Sequence, residues 1–259
     1  MNRVLVISSF VAKGSVGLQA TLPALRGNAI EPIAIPTVVL SNHPGFKACA
    51  GTPVAPGTLE AMVDALEANG WLAGLDAVFT GYLPSVSHVQ WAKRTVERVL
   101  RANPTAIYVA DPVLGDDPGG LYIGRDVADA VRSELLALAK LITPNRFELS
   151  WLADRPVTDA ETAIAAARHL NVAMIAATSI PTRHSDLANL LISGDGCATQ
   201  TVRCQPSAPH GTGDYFAGAL TAQILIGKRG ADALSAATEQ TAAIIEASQN
   251  SPHLAVSTM

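Results

Sequence analysis

Charge and cysteine are both scarce in this chain. Of 259 residues, 15% are Asp, Glu, Lys or Arg, and 18 basic against 22 acidic side chains give a formal net charge of −4. The basic residues are scattered rather than striped, so a nucleic-acid surface has no electrostatic support and any anionic ligand must be held locally. The three cysteines, Cys49, Cys197 and Cys204, are odd in number and irregular in spacing. That argues against a disulfide framework and a zinc knuckle, and leaves reduced thiols as the simplest reading. No segment carries eighteen uninterrupted apolar residues, so no membrane span is expected. Met1-Asn2-Arg3 runs directly into Val4-Leu5-Val6-Ile7 without a long apolar leader, and the expected location is the cytoplasm. Two nucleotide signatures are also missing. There is no Gly-x-x-x-x-Gly-Lys-Ser/Thr, which disfavours a P-loop NTPase, and Gly14-Ser15-Val16-Gly17 lacks the Gly-x-Gly-x-x-Gly spacing of hydride-transfer enzymes.

What the chain does have is apolar residues, 49% of the total, at a length that fits one large domain over 1–259. Short β-branched runs alternate with alanine- and leucine-rich helical patterns, the signature of an α/β fold with parallel strands and crossover helices. The pattern predicts strands near 3–9, 30–36, 76–80, 106–111, 140–143 and 172–177. Helices are predicted near 17–27, 58–70, 85–102, 126–139, 145–153, 159–169, 213–228 and 230–248. Segments 187–193 and 197–203, joined by Gly194-Asp195-Gly196, read as an antiparallel hairpin at the sheet edge. Two loops, about 41–57 and 115–120, have the composition of mobile covers and follow predicted strands, so they are expected to close one cleft. Trp71, Trp91 and Trp151 fall in helical patterns and read as packing residues.

The most informative stretch is Gly211-Thr212-Gly213-Asp214, which opens a predicted helix. Glycines allow a tight turn, and the first N–H groups of a helix lack intrahelical partners and attract anions. An acid beside such a site can take a proton from an alcohol while the amides stabilise a phosphoryl group in transfer, which points to alcohol phosphorylation. On these four residues alone, simple helix capping accounts for Asp214 equally well. Asp111 follows one predicted strand in Asp111-Pro112-Val113-Leu114-Gly115-Asp116, and Glu148 follows another in Thr143-Pro144-Asn145-Arg146-Phe147-Glu148. Both acids should therefore lie at the carboxyl ends of strands, where hard oxygen ligands suit Mg²⁺. Thr178-Ser179 follow a further strand, with hydroxyls able to bond phosphate or ribose oxygens.

These motifs, together with Ser9, Thr37-Val38-Val39-Leu40-Ser41-Asn42-His43 and Thr80-Gly81-Tyr82, run in the order seen in the pyridoxal kinases of the ribokinase-like superfamily, which the chain resembles over nearly its whole length. The resemblance implies a three-layer α/β/α sandwich with a mostly parallel central sheet and an edge hairpin. It further implies that Asp214 is the base for the 5′-hydroxymethyl group of a vitamin B6 vitamer attacking ATP, with the amides of Gly211, Thr212 and Gly213 on the phosphoryl oxygens. Ser9, Val16, His43 and Tyr82 would line the vitamer pocket. Asp111, Asp116, Asn145, Glu148, Thr178 and Ser179 would form the nucleotide side, with Asp111 and Glu148 serving Mg²⁺ and room for a monovalent cation such as K⁺. A homodimer is implied.

The chain departs from that family at three positions: Pro44 where Thr is frequent, Leu40 where an aromatic is frequent, and Leu18 where Asn is common. These bear on substrate identity and affinity more than on phosphoryl transfer. Two alternatives follow. Gly17-Leu18-Gln19-Ala20 is similar to a segment of hydroxymethylpyrimidine kinases, and a weakly active vitamer-binding regulator would also fit the pocket changes.

Overall fold

The computed structural model describes residues 1–183, 186–205, 208–249 and 251–256. The strands are β1 (Arg3–Lys13), β2 (Glu31–Asn42), β3 (Gly51–Pro53), β4 (Ala77–Thr80), β5 (Ile107–Ala110), β6 (Gly115–Asp116), β7 (Gly120–Leu121), β8 (Leu141–Ile142), β9 (Met174–Pro181), β10 (Leu187–Ser193) and β11 (Gly196–Val202). The helices are α1 (Leu18–Arg26), α2 (Pro56–Ala68), α3 (Val86–Ala102), α4 (Arg125–Ala130), α5 (Arg146–Ala153), α6 (Ala160–His169), α7 (Thr212–Leu225) and α8 (Gly230–Ala247). Among the described residues these build a nine-stranded sheet in the order β11-β10-β9-β8-β5-β4-β1-β2-β3. The strands from β9 to β2 run parallel; β3 at one edge and the β10–β11 hairpin at the other run antiparallel.

The side-chain alternation of β1 shows why this is a three-layer structure. Val4, Leu5, Val6 and Ile7 are all fully buried. Leu5 and Ile7 join the cluster built with Leu59, Val89 and Leu149 of α2, α3 and α5. Val4 and Val6 join the opposite cluster with Leu25, Leu220 and Ile244 of α1, α7 and α8. A strand with period two that is apolar at every position needs cover on both faces, and the helices supply it. The chain passes from β1 outward to β2 and then crosses back to β4 on the other side of β1. That reversal opens a crevice at the carboxyl ends of β1 and β4, where ligands of open α/β sheets bind.

Several boundaries differ from the sequence pattern, chiefly at the carboxyl end of the sheet. β1 continues to Lys13 through a register shift against β2 between Ser8 and Phe10, so Ser9 sits at a bulge instead of a strand end. β2 runs on to Asn42 and pairs with β3, so part of the first predicted loop is strand. The second loop folds into the β6–β7 ribbon. β9 extends through Thr178 and Ser179 to Pro181 because β10 pairs with it beyond the parallel core. The helix predicted over 126–139 breaks into α4, a π turn at Val131–Leu135 and a 3₁₀ turn at Leu136–Leu138.

β4 and β5 are joined at the site end by a buried hydrogen bond of 2.7 Å between Thr80 Oγ1 and the Tyr108 hydroxyl. Tyr108→Phe leaves the Thr80 hydroxyl buried and unpaired, an expected loss of about 1–3 kcal/mol in urea unfolding. An unchanged midpoint would show that this pair does not hold the strands.

Candidate active site

The turn before α7 depends on two glycines that accept what a side chain would block. Gly211 is the N-cap in the left-handed region (φ 93°), and a Cβ there would overlap the Ser15 carbonyl oxygen. Gly17, at the N-cap of α1 (φ 56°), leaves no room for a Cβ beside the Ser9 carbonyl and hydroxyl. The two helix starts therefore meet at the end of β1, a contact tightened by the Thr21 hydroxyl donating to the Asp214 carbonyl at 3.3 Å. Within α7, the Tyr215 N–H already reaches Gly211. The N–H groups of Thr212, Gly213 and Asp214 precede it in the first turn and have no intrahelical acceptor. Gly213 is exposed and the space at its Cβ position is open.

Three carboxylates influence one another here. Asp111 follows β5 and is buried, accepting a hydrogen bond of 2.9 Å from the Thr143 hydroxyl. Glu148 is buried in the first turn of α5 and closes a capping box with Asn145. Its two oxygens accept from the Leu114 N–H at 2.7 Å and the Asn145 N–H at 2.9 Å. The Asn145 amide in turn donates to the Gly115 carbonyl at 2.8 Å. Asn145 and Glu148 thus hold the segment after Asp111 against the start of α5. Asp214 accepts from the Gly17 N–H.

Burial pushes all three acids above the ordinary carboxylate range. For Asp111 burial is followed by repulsion from Glu148 and Asp214, with the Thr143 hydroxyl opposing. For Glu148 burial outweighs the backbone N–H groups of Asn145, Leu114 and Gly115. Asp214 is raised to about 6, against the pull of the Gly17 N–H. Among the described residues no three His, Cys, Asp or Glu side chains converge into a ready-made metal site. The hard oxygen donors of Asp111 and Glu148 are of the kind that suits Mg²⁺ held mainly by water and phosphate oxygens.

The other residues singled out in the sequence are placed as follows. Ser9 and Val16 are partly buried on either side of Gly17. Tyr82, partly buried after β4, is fixed by its backbone: its N–H donates to the Ser8 hydroxyl at 3.2 Å and its carbonyl accepts from the Thr37 hydroxyl at 2.7 Å. His43 lies on the loop after β2, which Asn42 closes by donating to the carbonyls of His43 and Ala48. The Thr178 N–H donates to the Pro144 carbonyl at 3.0 Å, setting Thr178 beside Asn145. Ser179 is exposed with φ 59°. Asp116, on the β6–β7 ribbon, is exposed and acts electrostatically on His43.

Two residues here escaped the sequence pattern. The Tyr122 hydroxyl hydrogen-bonds Asp116 and feels Glu148 and Asp214. His210 stacks on His43 with ring centroids 4.1 Å apart. An aromatic just beyond the Gly119-Gly120 turn was the available signal for Tyr122; the spacing from His43 to His210 carries none.

The electrostatics predict a direction for pH. Acids raised by folding favour the protonated folded protein, so their contribution to stability is full below about pH 4 and is lost as pH rises through about 7. Without divalent cations, the melting temperature should fall from pH 5 to pH 8, and Asp111→Asn should flatten that slope. Differential scanning fluorimetry across the range checks it; a melting temperature that climbs with pH contradicts the burial of these acids.

Comparison with known proteins bears on this arrangement. A family described as phosphomethylpyrimidine kinase matches residues 12–258. A pyridoxine/pyridoxal/pyridoxamine kinase from Bordetella avium is 34% identical over 230 residues, covering 86% of this chain and 78% of that protein. The pyridoxal kinase PdxY of Deinococcus radiodurans is 31% identical over 237 residues, 86% of this chain and 79% of its own. Among solved structures, pyridoxal kinase from Leishmania donovani in complex with ADP and pyridoxamine superposes with a TM-score of 0.91 at 30% identity, covering 99% of this chain and 93% of that one. With the same fold and kinship over most of its length, the chain belongs to the pyridoxal kinase family of the ribokinase-like superfamily, phosphotransferases with an alcohol as acceptor.

Proposed function

We propose that this protein transfers the γ-phosphoryl group of ATP to the 5′-hydroxymethyl group of pyridoxal, with pyridoxine and pyridoxamine as further acceptors. The observation that carries the reading is the half-buried Asp214 carboxylate in the first turn of α7, next to exposed Gly213, whose Cβ position is open. With its pKa raised to about 6, Asp214 is ionised at neutral pH yet basic enough to take a proton. It receives the hydroxyl proton as the alcohol oxygen bonds to the γ-phosphorus and the bond to the ADP oxygen breaks. The amides of Gly211, Thr212 and Gly213 hold the phosphoryl oxygens, helped by the positive end of the helix dipole.

Ser9, Val16, His43 and Tyr82 enclose the vitamer ring. Asp111, Asp116, Asn145, Glu148, Thr178 and Ser179 face the nucleotide, with Asp111 and Glu148 holding water-bound Mg²⁺. When bound, Mg²⁺ neutralises phosphate charge. Because both Glu148 oxygens already accept backbone N–H groups, that residue acts on the metal through water and keeps Leu114 and Asn145 in place. A K⁺ ion near the anion turn, a homodimer and a cytoplasmic location belong to the same reading. A second reading, a hydroxymethylpyrimidine kinase, is favoured by the matched family's description and by Gly17-Leu18-Gln19-Ala20.

Purified protein with ATP and Mg²⁺ should phosphorylate a B6 vitamer in preference to hydroxymethylpyrimidine. Asp214→Asn should keep the fold and lower kcat by about 10²-fold or more, the scale of a lost general base. Preference for the pyrimidine would assign the second reading; near-normal turnover by the variant would remove Asp214 from the base role.

A further inference from the structure

The loop carrying His43 is joined to the anion turn by a contact that the phosphoryl chemistry does not require. The imidazoles of His43 and His210 stack at 4.1 Å with planes 23° apart. His210 directly precedes Gly211, so the ring that meets the loop belongs to the same turn that opens α7. The Gly45 N–H donates to His43 Nδ1 at 3.1 Å. A nitrogen that accepts carries no proton, so His43 is neutral with its hydrogen on Nε2. An imidazolium at His43 would break the bond to Gly45 and bring positive charge against His210. Next to this pair, Phe46 packs on His253 with centroids 5.5 Å apart, and His210 and His253 form a parallel bridge. Gly45, Phe46, Pro209 and His210 line a cavity of about 240 Å³ at this junction.

We propose that His210 is a positioning residue: by stacking on neutral His43 it seats the 43–50 loop over the cleft, and protonation of His43 releases that loop. The charged and titratable groups facing His43 are His210 from the anion turn and Asp116 from the β6–β7 ribbon; His253 adjoins through Phe46, and Lys47 lies on the same loop. Burial, then His210, holds His43 below its ordinary value, and Asp116 opposes. The neutral, stacked state therefore persists through neutral pH and fails on acidification. The kinetic arm of the test rests on the kinase reading; the structural arm does not.

His210→Ala removes the ring and His210→Phe keeps a stacking partner that cannot titrate. For His210→Ala, KM for the B6 vitamer should rise about 2- to 10-fold with kcat nearly unchanged, the scale of one lost ring stack. In the wild type, KM should rise as pH falls from 8 to 5.5, whereas in His210→Ala it should be high and flat. His210→Phe should restore a low KM at neutral pH. Without any substrate, trypsin at pH 8 should cut after the exposed Lys47 faster in His210→Ala than in wild type or His210→Phe. ¹⁵N NMR should show His43 with Nδ1 unprotonated at neutral pH. A wild type that phosphorylates no vitamer defeats the kinase reading alone. Equal cleavage at Lys47 in all three proteins, or His43 protonated on Nδ1 at neutral pH, overturns the positioning role.

Discussion

Two points of backbone contact at the end of β1, Gly211 against the Ser15 carbonyl and Gly17 against Ser9, bring the starts of α1 and α7 to one place. Neither contact tolerates a Cβ. From them follows the close packing of the two helices, in which Gly218 of α7 lies against Thr21 and Ala24 of α1. The hydrogen bond from Gly17 to Asp214 follows as well. Move either glycine turn by the thickness of a methyl group and the acid no longer sits where the free amides of α7 open.

The second feature of the site is its unbalanced charge. Asp111 and Glu148 are buried, Asp214 is half-buried, and the negative charge of each disfavours ionisation of its neighbours. The protein keeps them there through backbone donors: Leu114 and Asn145 for Glu148, Gly17 for Asp214, with the Thr143 hydroxyl for Asp111. A cleft with free amides on one wall and hard carboxylates on the other complements a phosphate chain together with a divalent cation. That complementarity is why phosphoryl transfer is the chemistry we assign.

The covering loops extend the same logic outward. Asn42 closes the first loop on itself, and His43 presents a ring to the turn of α7. The β6–β7 ribbon carries Asp116, and Tyr122 just beyond it feels the charge of Asp116, Glu148 and Asp214. The loop after β2 therefore touches the turn before α7, and the ribbon acts on that loop through the charge of Asp116.

The sequence by itself determined the layered α/β fold, the strand-end acids and the glycine turn. Apolar runs such as Val4–Ile7, the Asn145/Glu148 spacing and Gly211–Asp214 are local patterns, and local sterics and hydrogen bonding decide them. The tertiary structure alone decided where strands end and which side chains meet. β1 runs past Ser9, β2 to Asn42 and β9 through Thr178 and Ser179 because partner strands distant in sequence continue the ladder. The helix after Arg125 breaks into π and 3₁₀ turns although its composition favours a continuous one. Glu148 on Leu114, Tyr122 on Asp116 and His43 on His210 are contacts between separate loops. Periodicity reports which face of an element is buried; it holds no information on which loop ends share a cleft, because sheet order and backbone approach set that distance.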